Sequence, residues 1–88
     1  MDCYEIVLKP SVHKDLRLLP KSSAAKVLAR IEALQADPLP RGAIKLMGAE
    51  RLFRIRVGDY RIVYELDTEA RLVTVLYIRH RRDVYRTL

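Results

Sequence analysis

Cysteine is almost missing from this 88-residue chain: Cys3 stands alone. A single thiol excludes an intrachain disulfide, and no cysteine–histidine set is present that would cage zinc, so no metal site is expected. Cys3 itself reads as a strand residue. The sequence also lacks an 18-residue apolar run and a charged-then-apolar leader, which argues against a membrane span and a secretory signal and makes a cytoplasmic protein the expectation. No internal repeat or low-complexity segment occurs. The proline-containing stretch at residues 38–42 is a connecting loop, because the segment after it is too short to fold alone. One domain over residues 1–88 is expected.

What is present is apolar bulk and positive charge. Half of the residues are hydrophobic, enough for a packed core and too many for wholesale disorder. At this length burial only just offsets chain entropy. The formal net charge of +6 favours polyanion partners: nucleic acid, a ribosome or an acidic protein.

Residues 52–64, LFRIRVGDYRIVY, organise the rest. Apolar and basic residues alternate, stop at Gly58-Asp59, and alternate again, which predicts a β-hairpin with a type II′ turn. Gly at the first loop position takes that conformation cheaply. If Val57 pairs with Tyr60, Arg56 lies opposite Arg61, Ile55 opposite Ile62, Arg54 opposite Val63 and Phe53 opposite Tyr64. Phe53, Ile55, Ile62 and Tyr64 then share one face, and Arg54, Arg56 and Arg61 the other. Like charges directly opposite destabilise a strand pair, where a good pair contributes roughly 0.2–1 kcal/mol. An arginine-rich solvated face is the plain reading. The sharper one is an anion site, since planar guanidinium forks match phosphate oxygens.

Elsewhere the pattern predicts a first strand over residues 3–8 and a short helix from a Ser11 cap to about Leu19, broken by Pro20. His13 in its first turn reads as a surface residue. A second helix runs from a Ser22 or Ser23 cap to about Ala36, with Ala24, Val27, Leu28, Ile31 and Leu34 as its core stripe. Residues 43–47 form a brief strand or extended arm. Residues 67–71 are a five-residue turn, and residues 72–78 a last strand. Pairing Leu66 with Leu72 would set Arg61 opposite Tyr77 and Ile62 opposite Leu76. The expected fold is α+β: an N-terminal strand and a two-helix antiparallel hairpin packed on a mainly antiparallel sheet of about four strands, with a short basic C-terminal tail.

That tail, residues 79–86, reads RHRRDVYR. Arg81 and Arg82 follow the last strand, and Tyr85 lies about one helical turn later. Such a tyrosine can stack on a base, an interaction contributing roughly 1–3 kcal/mol in single-stranded recognition. A basic tail with Tyr85 folded onto the core is the plain alternative.

The run RIRVGDYRIVYEL and the closing HRRDVYR resemble the RelE/ParE superfamily of toxins from type II toxin–antitoxin systems, and the resemblance spans essentially the whole chain. It implies a ribosome-dependent, metal-free endoribonuclease that enters the ribosomal A site, cleaves mRNA there by 2′-OH attack to leave a 2′,3′-cyclic phosphate, and so inhibits translation. Arg54 and Arg56 match two basic strand positions, often Lys in the family. Arg61 matches the arginine of the following strand, Arg81 the tail arginine and Tyr85 the tail tyrosine. These five are the expected catalytic set, with Lys45, Arg51, Arg79, His80 and Arg82 as RNA-binding residues. Arg82 stands as an alternative to Arg81. Arg79 replaces a residue commonly Gly.

The chemistry implied needs no cofactor. Guanidinium groups stabilise charge building on phosphate oxygens, with Arg56 and Arg61 as the clamp. Arg81 can protonate a strongly basic leaving oxygen. Arginine cannot act easily as a base, which leaves Tyr85, His80 or the ribosome itself for that role. Histidine is the natural acid–base residue at neutral pH, yet the same His as His80 occurs in non-nuclease members of the superfamily. The implied partners are ribosome and mRNA, a cognate acidic antitoxin in a hetero-oligomer, and operator DNA only through the antitoxin complex. No membrane is involved. The alternative is a ParE-like DNA gyrase inhibitor without nuclease activity; a third is an inactive module that only pairs with an antitoxin.

Overall fold

The computed structural model describes residues 3–80. Arg81, Arg82 and Tyr85 lie outside the described residues.

The alternation in residues 52–64 produces the hairpin it predicts. β3 (Leu52–Val57) and β4 (Tyr60–Asp67) pair antiparallel in the expected register, with Arg56 opposite Arg61, Ile55 opposite Ile62 and Phe53 opposite Tyr64. Gly58 has φ of +59°, and Arg71 is the only non-glycine with positive φ among the described residues. Positive φ at the first loop position alone is the type II′ combination. Ile55, Ile62 and Tyr64 are buried on one face. Arg56 is exposed, and Arg54 and Arg61 are half-buried, on the other.

Five strands make one sheet. Its order is β1-β5-β4-β3-β2, where β1 is Glu5–Leu8, β2 is Ile44–Lys45 and β5 is Leu72–His80. β1 runs parallel to β5 and every other neighbouring pair is antiparallel. The fifth strand, beyond the four expected, is β2 within residues 43–47. It sets Ile44 opposite Arg54 and Lys45 opposite Phe53.

The last hairpin departs from the expected register. Asp67 stays in β4 and pairs with Leu72, so Leu66 faces Val73. The loop is therefore one residue shorter than expected. The Asp67 Oδ1 accepts a hydrogen bond from the Ala70 N–H at 2.9 Å, and Arg71 takes φ of +55° to re-enter the sheet. A second shift falls between Val63 and Tyr64: Tyr64 pairs with Val75 but Val63 with Tyr77, so Leu76 is the extra residue of a β-bulge. Arg61 thus faces Arg79 rather than Tyr77, and Ile62 faces Ile78 rather than Leu76. The reason is burial. The expected register would have turned Val73 and Val75 onto the arginine face, whereas both are fully buried with Ile78 beneath the helices.

Helix α1 (Pro10–Leu18) starts two residues early. Lys9 is its N-cap and Pro10 its first residue, a position that suits proline because its N–H would be unpaired there anyway. Ser11, expected as the cap, instead donates its hydroxyl to the Leu76 carbonyl at 3.1 Å. Helix α2 (Lys21–Ala33) likewise begins after Pro20 without a side-chain cap and ends three residues short of expectation in a tightened turn. α1 packs on β5 and β1, and α2 on β3. Val12, Val27, Ile31 and Leu34 meet Ile55, Ile62, Tyr64, Leu66, Val73, Val75 and Ile78 in one core. Leu28, at the edge of the α2 stripe, stays partly exposed.

Tyr64 is the largest fully buried side chain, and its hydroxyl donates to the Pro38 carbonyl at 2.6 Å, tying the loop after α2 to the central strand. Burial first, and the nearby Asp37 carboxylate second, push the phenol up from 10.0 to about 12. The fold therefore holds this proton more tightly than the unfolded chain does. The resulting stabilisation is complete below pH 10 and is lost as pH rises towards 12, a window worth roughly 3 kcal/mol. Denaturant unfolding of wild type and Tyr64→Phe, compared from pH 9 to pH 12, is expected to show that extra loss in wild type only. At neutral pH the variant should cost about 1 kcal/mol for the missing hydrogen bond.

Candidate anion-binding face

The corrected register builds a row of cations. Arg56 pairs across to Arg61 and Arg61 across to Arg79, so three arginines sit side by side on β3, β4 and β5. At the usual strand spacing their Cα atoms span about 10 Å. Arg54 stands in the next row with Ile44, Val63 and Tyr77. Arg54, Arg56 and Arg61 line a hollow of about 150 Å³ together with Gly42 and Ile44.

Each guanidinium is held differently. The Arg56 Nε donates to the Gly58 carbonyl at 3.0 Å, so the turn that fixes the register also fixes this side chain. The Arg54 side chain makes no hydrogen bond or ion pair among the described residues. Arg79 is held by three contacts. Its Nη1 donates to the Asp15 Oδ2 at 3.1 Å and to the Ile78 carbonyl at 3.0 Å, and its guanidinium carbon lies 4.8 Å from the centre of the Tyr77 ring.

Other residues expected at the site lie elsewhere. Arg51 is exposed and pairs with Asp67 at 3.6 Å, five residues before Arg56 along the chain, roughly 17 Å away. Lys45 is opposite Phe53, on the other face from Arg54, and borders a separate hollow formed by residues 45–50. His80 pairs with Tyr60 and meets its ring edge-on at a centroid distance of 5.2 Å, on the face that carries Ile62. It lines a hollow of about 410 Å³ with Asp15, Leu18, Leu19, Tyr60, Ile78 and Arg79. Arg81, Arg82 and Tyr85 lie beyond the described residues. Among those residues no cluster of histidine, cysteine or carboxylate side chains is arranged to hold a metal ion, and no helix is long and apolar enough to cross a membrane.

Sequence reasoning missed Asp15. It is the acceptor for both the Ile78 N–H, at 3.0 Å, and Arg79. A carboxylate four residues after Ser11, on a helix whose other charges are basic, was the available signal.

Comparison with known proteins places the chain among toxins. The family model of the ParE toxin of type II toxin–antitoxin systems, parDE, matches residues 6–85. Toxin RelG of Mycobacterium tuberculosis is 32% identical over 84 residues, covering 94% of this chain and 97% of that protein. A RelE1 toxin of Methanocaldococcus jannaschii is 28% identical over 86 residues, covering 94% and 96%. The crystal structure of the archaeal RelE–RelB complex from Pyrococcus horikoshii contains a chain with the same fold: TM-score 0.81, 31% identity, 92% of this chain and 97% of that one.

The opposed arginines carry a stability cost that salt should relieve. Arg56→Thr is expected to raise the unfolding free energy by a few tenths of a kcal/mol in about 20 mM salt and to lose that advantage near 1 M salt, where the Debye length falls to about 3 Å. Denaturant titrations at the two salt concentrations check it.

Proposed function

The chain belongs to the ParE toxin family of type II toxin–antitoxin systems, within the RelE/ParE superfamily, and from that premise we propose that it is a RelE-like mRNA interferase. The observation that carries this reading is the arginine row Arg56–Arg61–Arg79 with Arg54 beside it. A surface held at electrostatic cost on a rigid sheet suits a ligand whose charge is already dense, and the phosphodiester backbone has that charge. The relatives named RelE1 and RelG point the same way.

In the reaction proposed, the ribose 2′-oxygen attacks the adjacent phosphorus as the bond to the 5′-oxygen breaks. The 2′-proton goes to a base and the departing 5′-oxygen gains a proton, leaving a 2′,3′-cyclic phosphate and a 5′-hydroxyl. Arg56 and Arg61 bind the non-bridging oxygens, where charge grows in the transition state. Arg54 and Arg79 bind flanking phosphates, and Arg81 supplies the proton to the leaving oxygen. His80 is turned towards Tyr60 on the opposite face, which leaves Tyr85 or a group of the ribosome as the base. A free-standing acid–base set this sparse fits an enzyme whose substrate is aligned by the ribosome. Lys45 and Arg51, set apart from the row, serve as outlying contacts to ribosomal RNA. The site of action is then the cytoplasm.

The partner proposed is an acidic antitoxin that folds over the arginine face, by likeness to the RelE–RelB complex from Pyrococcus horikoshii. Operator DNA is reached through that complex. A second reading comes from the matching family model, that of ParE toxin: a protein that cuts nothing and inhibits DNA gyrase.

Mapping mRNA 5′ ends on translating ribosomes separates the two. Wild type is expected to cut at A-site codons, and Arg61→Ala and Arg81→Ala each to lower the rate by about 10²–10³, the usual cost of removing one donor to developing oxyanion charge. Intact mRNA together with inhibited gyrase supercoiling would replace the nuclease by the second reading.

A further inference from the structure

Arg79 owes its place in the arginine row to a bulge in β5, and contacts with helix α1 and Tyr77 hold it there. Leu76, the extra residue of the bulge, reverses the parity of β5 and turns Arg79 to the face of Arg61. On the other side of β5, beyond the end of β1, helix α1 takes the place of a neighbouring strand. Ser11 bonds the Leu76 carbonyl and Asp15 bonds the Ile78 N–H, four residues apart on one helix face. The same Asp15 oxygen that accepts from Ile78 also accepts from the Arg79 Nη1, while Tyr77 supports the guanidinium from below.

We infer that Asp15 is a positioning residue for RNA binding: it orients Arg79, against the Tyr77 ring, so that the remaining donors of this guanidinium meet an RNA phosphate in line with Arg61 and Arg56. This deepens the nuclease reading and rests on its polyanion face. Among the described residues both hydrogen bonds of the Arg79 side chain come from Nη1, and there Nη2 and Nε keep their donors for a ligand. An arginine side chain loses rotamer entropy on binding, and one already fixed by a carboxylate and a ring has less to lose. Arg79 is partly exposed, at 42% of its side chain, and Asp15 is much less so, at 19%. The carboxylate thus sits behind the guanidinium while the guanidinium reaches solvent.

The sign of one substitution decides the matter. Asp15→Asn removes a negative charge from a polyanion-binding protein and keeps an oxygen that can accept from the Ile78 N–H. If Asp15 acts only through its charge, the variant binds RNA more tightly. If Asp15 positions Arg79, binding weakens. The experiment measures equilibrium binding of an eight-residue 2′-O-methyl RNA, which lacks the reactive hydroxyl, to the full chain across a salt series. Thermal melting of each variant confirms that it is folded.

Arg79→Ala is expected to reduce the dependence of log K on log salt by about 0.7, one phosphate contact on a single strand. Asp15→Asn is expected to weaken binding by roughly fivefold, within the range of coupling between touching groups, and in the Arg79→Ala background to have no effect or to tighten binding. Tighter binding by Asp15→Asn alone overturns the inference. So does an equal loss in both backgrounds, which would mark Asp15 as a clip between α1 and β5 and nothing more. Wild type that binds this RNA but cuts no mRNA would overturn the nuclease and leave the positioning role standing. Wild type that does not bind would overturn the polyanion face and the positioning role together.

Discussion

A single extra residue in β5 governs this molecule. With no bulge at Leu76, continuing the pairing set by Tyr64 and Val75 would bring Tyr77 opposite Ile62 and Ile78 opposite Arg61. An isoleucine would then lie on the arginine face, and a tyrosine would press into the space beneath the helices. The bulge restores agreement between burial and charge, sending Ile78 to the core and Arg79 to the cationic row. Bulges commonly re-aim side chains near functional sites. This one is held from outside the sheet, since Ser11 and Asp15 of α1 bond the backbone at Leu76 and Ile78. The edge of β5 is thereby covered by a helix at the point where β1 stops, which also removes an open strand edge.

The cationic face and the core depend on one another in a definite order. Opposed arginines weaken a hairpin, and in isolation the β3–β4 ribbon would be a poor unit. It persists because its other face is sealed by Ile55, Ile62 and Tyr64 against Val27, Ile31 and Leu34. Tyr64 adds the hydrogen bond to Pro38 that holds the connecting loop in place. The sheet thus supplies a frame that the cations could not generate, and within it Arg56 is tied to the Gly58 carbonyl and Arg79 to Asp15 before any ligand arrives. Preorganised charge of this kind needs little rearrangement when a phosphate binds.

Much of this was legible in the sequence. The Gly58-Asp59 break, with apolar and basic residues alternating over residues 53–57 and 60–62, marked the hairpin, its turn type and the shared face of Arg54, Arg56 and Arg61. The stripe of Val27, Ile31 and Leu34 marked the buried side of α2. The family likeness stated from RIRVGDYRIVYEL and HRRDVYR agrees with the family model and the named relatives. What stayed hidden has physical causes. Leu72–Ile78 is nearly all apolar, so no alternation exists in it from which a register or bulge can be read. Ser11 has two competing uses, as a helix cap and as a donor to a strand edge, and only tertiary packing chooses between them. Asp15 gains its meaning from residues more than sixty positions away. Lys45 and Arg51 are basic and near the hairpin in sequence, but strand alternation and distance along the chain separate them from the row.

The central claim is that Arg54, Arg56, Arg61 and Arg79 act as one anion site. It is tested most directly by following the Nε–Hε resonances of every arginine by NMR while the short 2′-O-methyl RNA is titrated in. The account predicts that the signals of these four residues move together along one binding curve, while those of Arg17 and Arg30 on the helices stay in place. Equal, small and non-saturating shifts across all arginines would contradict it, and would reduce the face to diffuse positive charge.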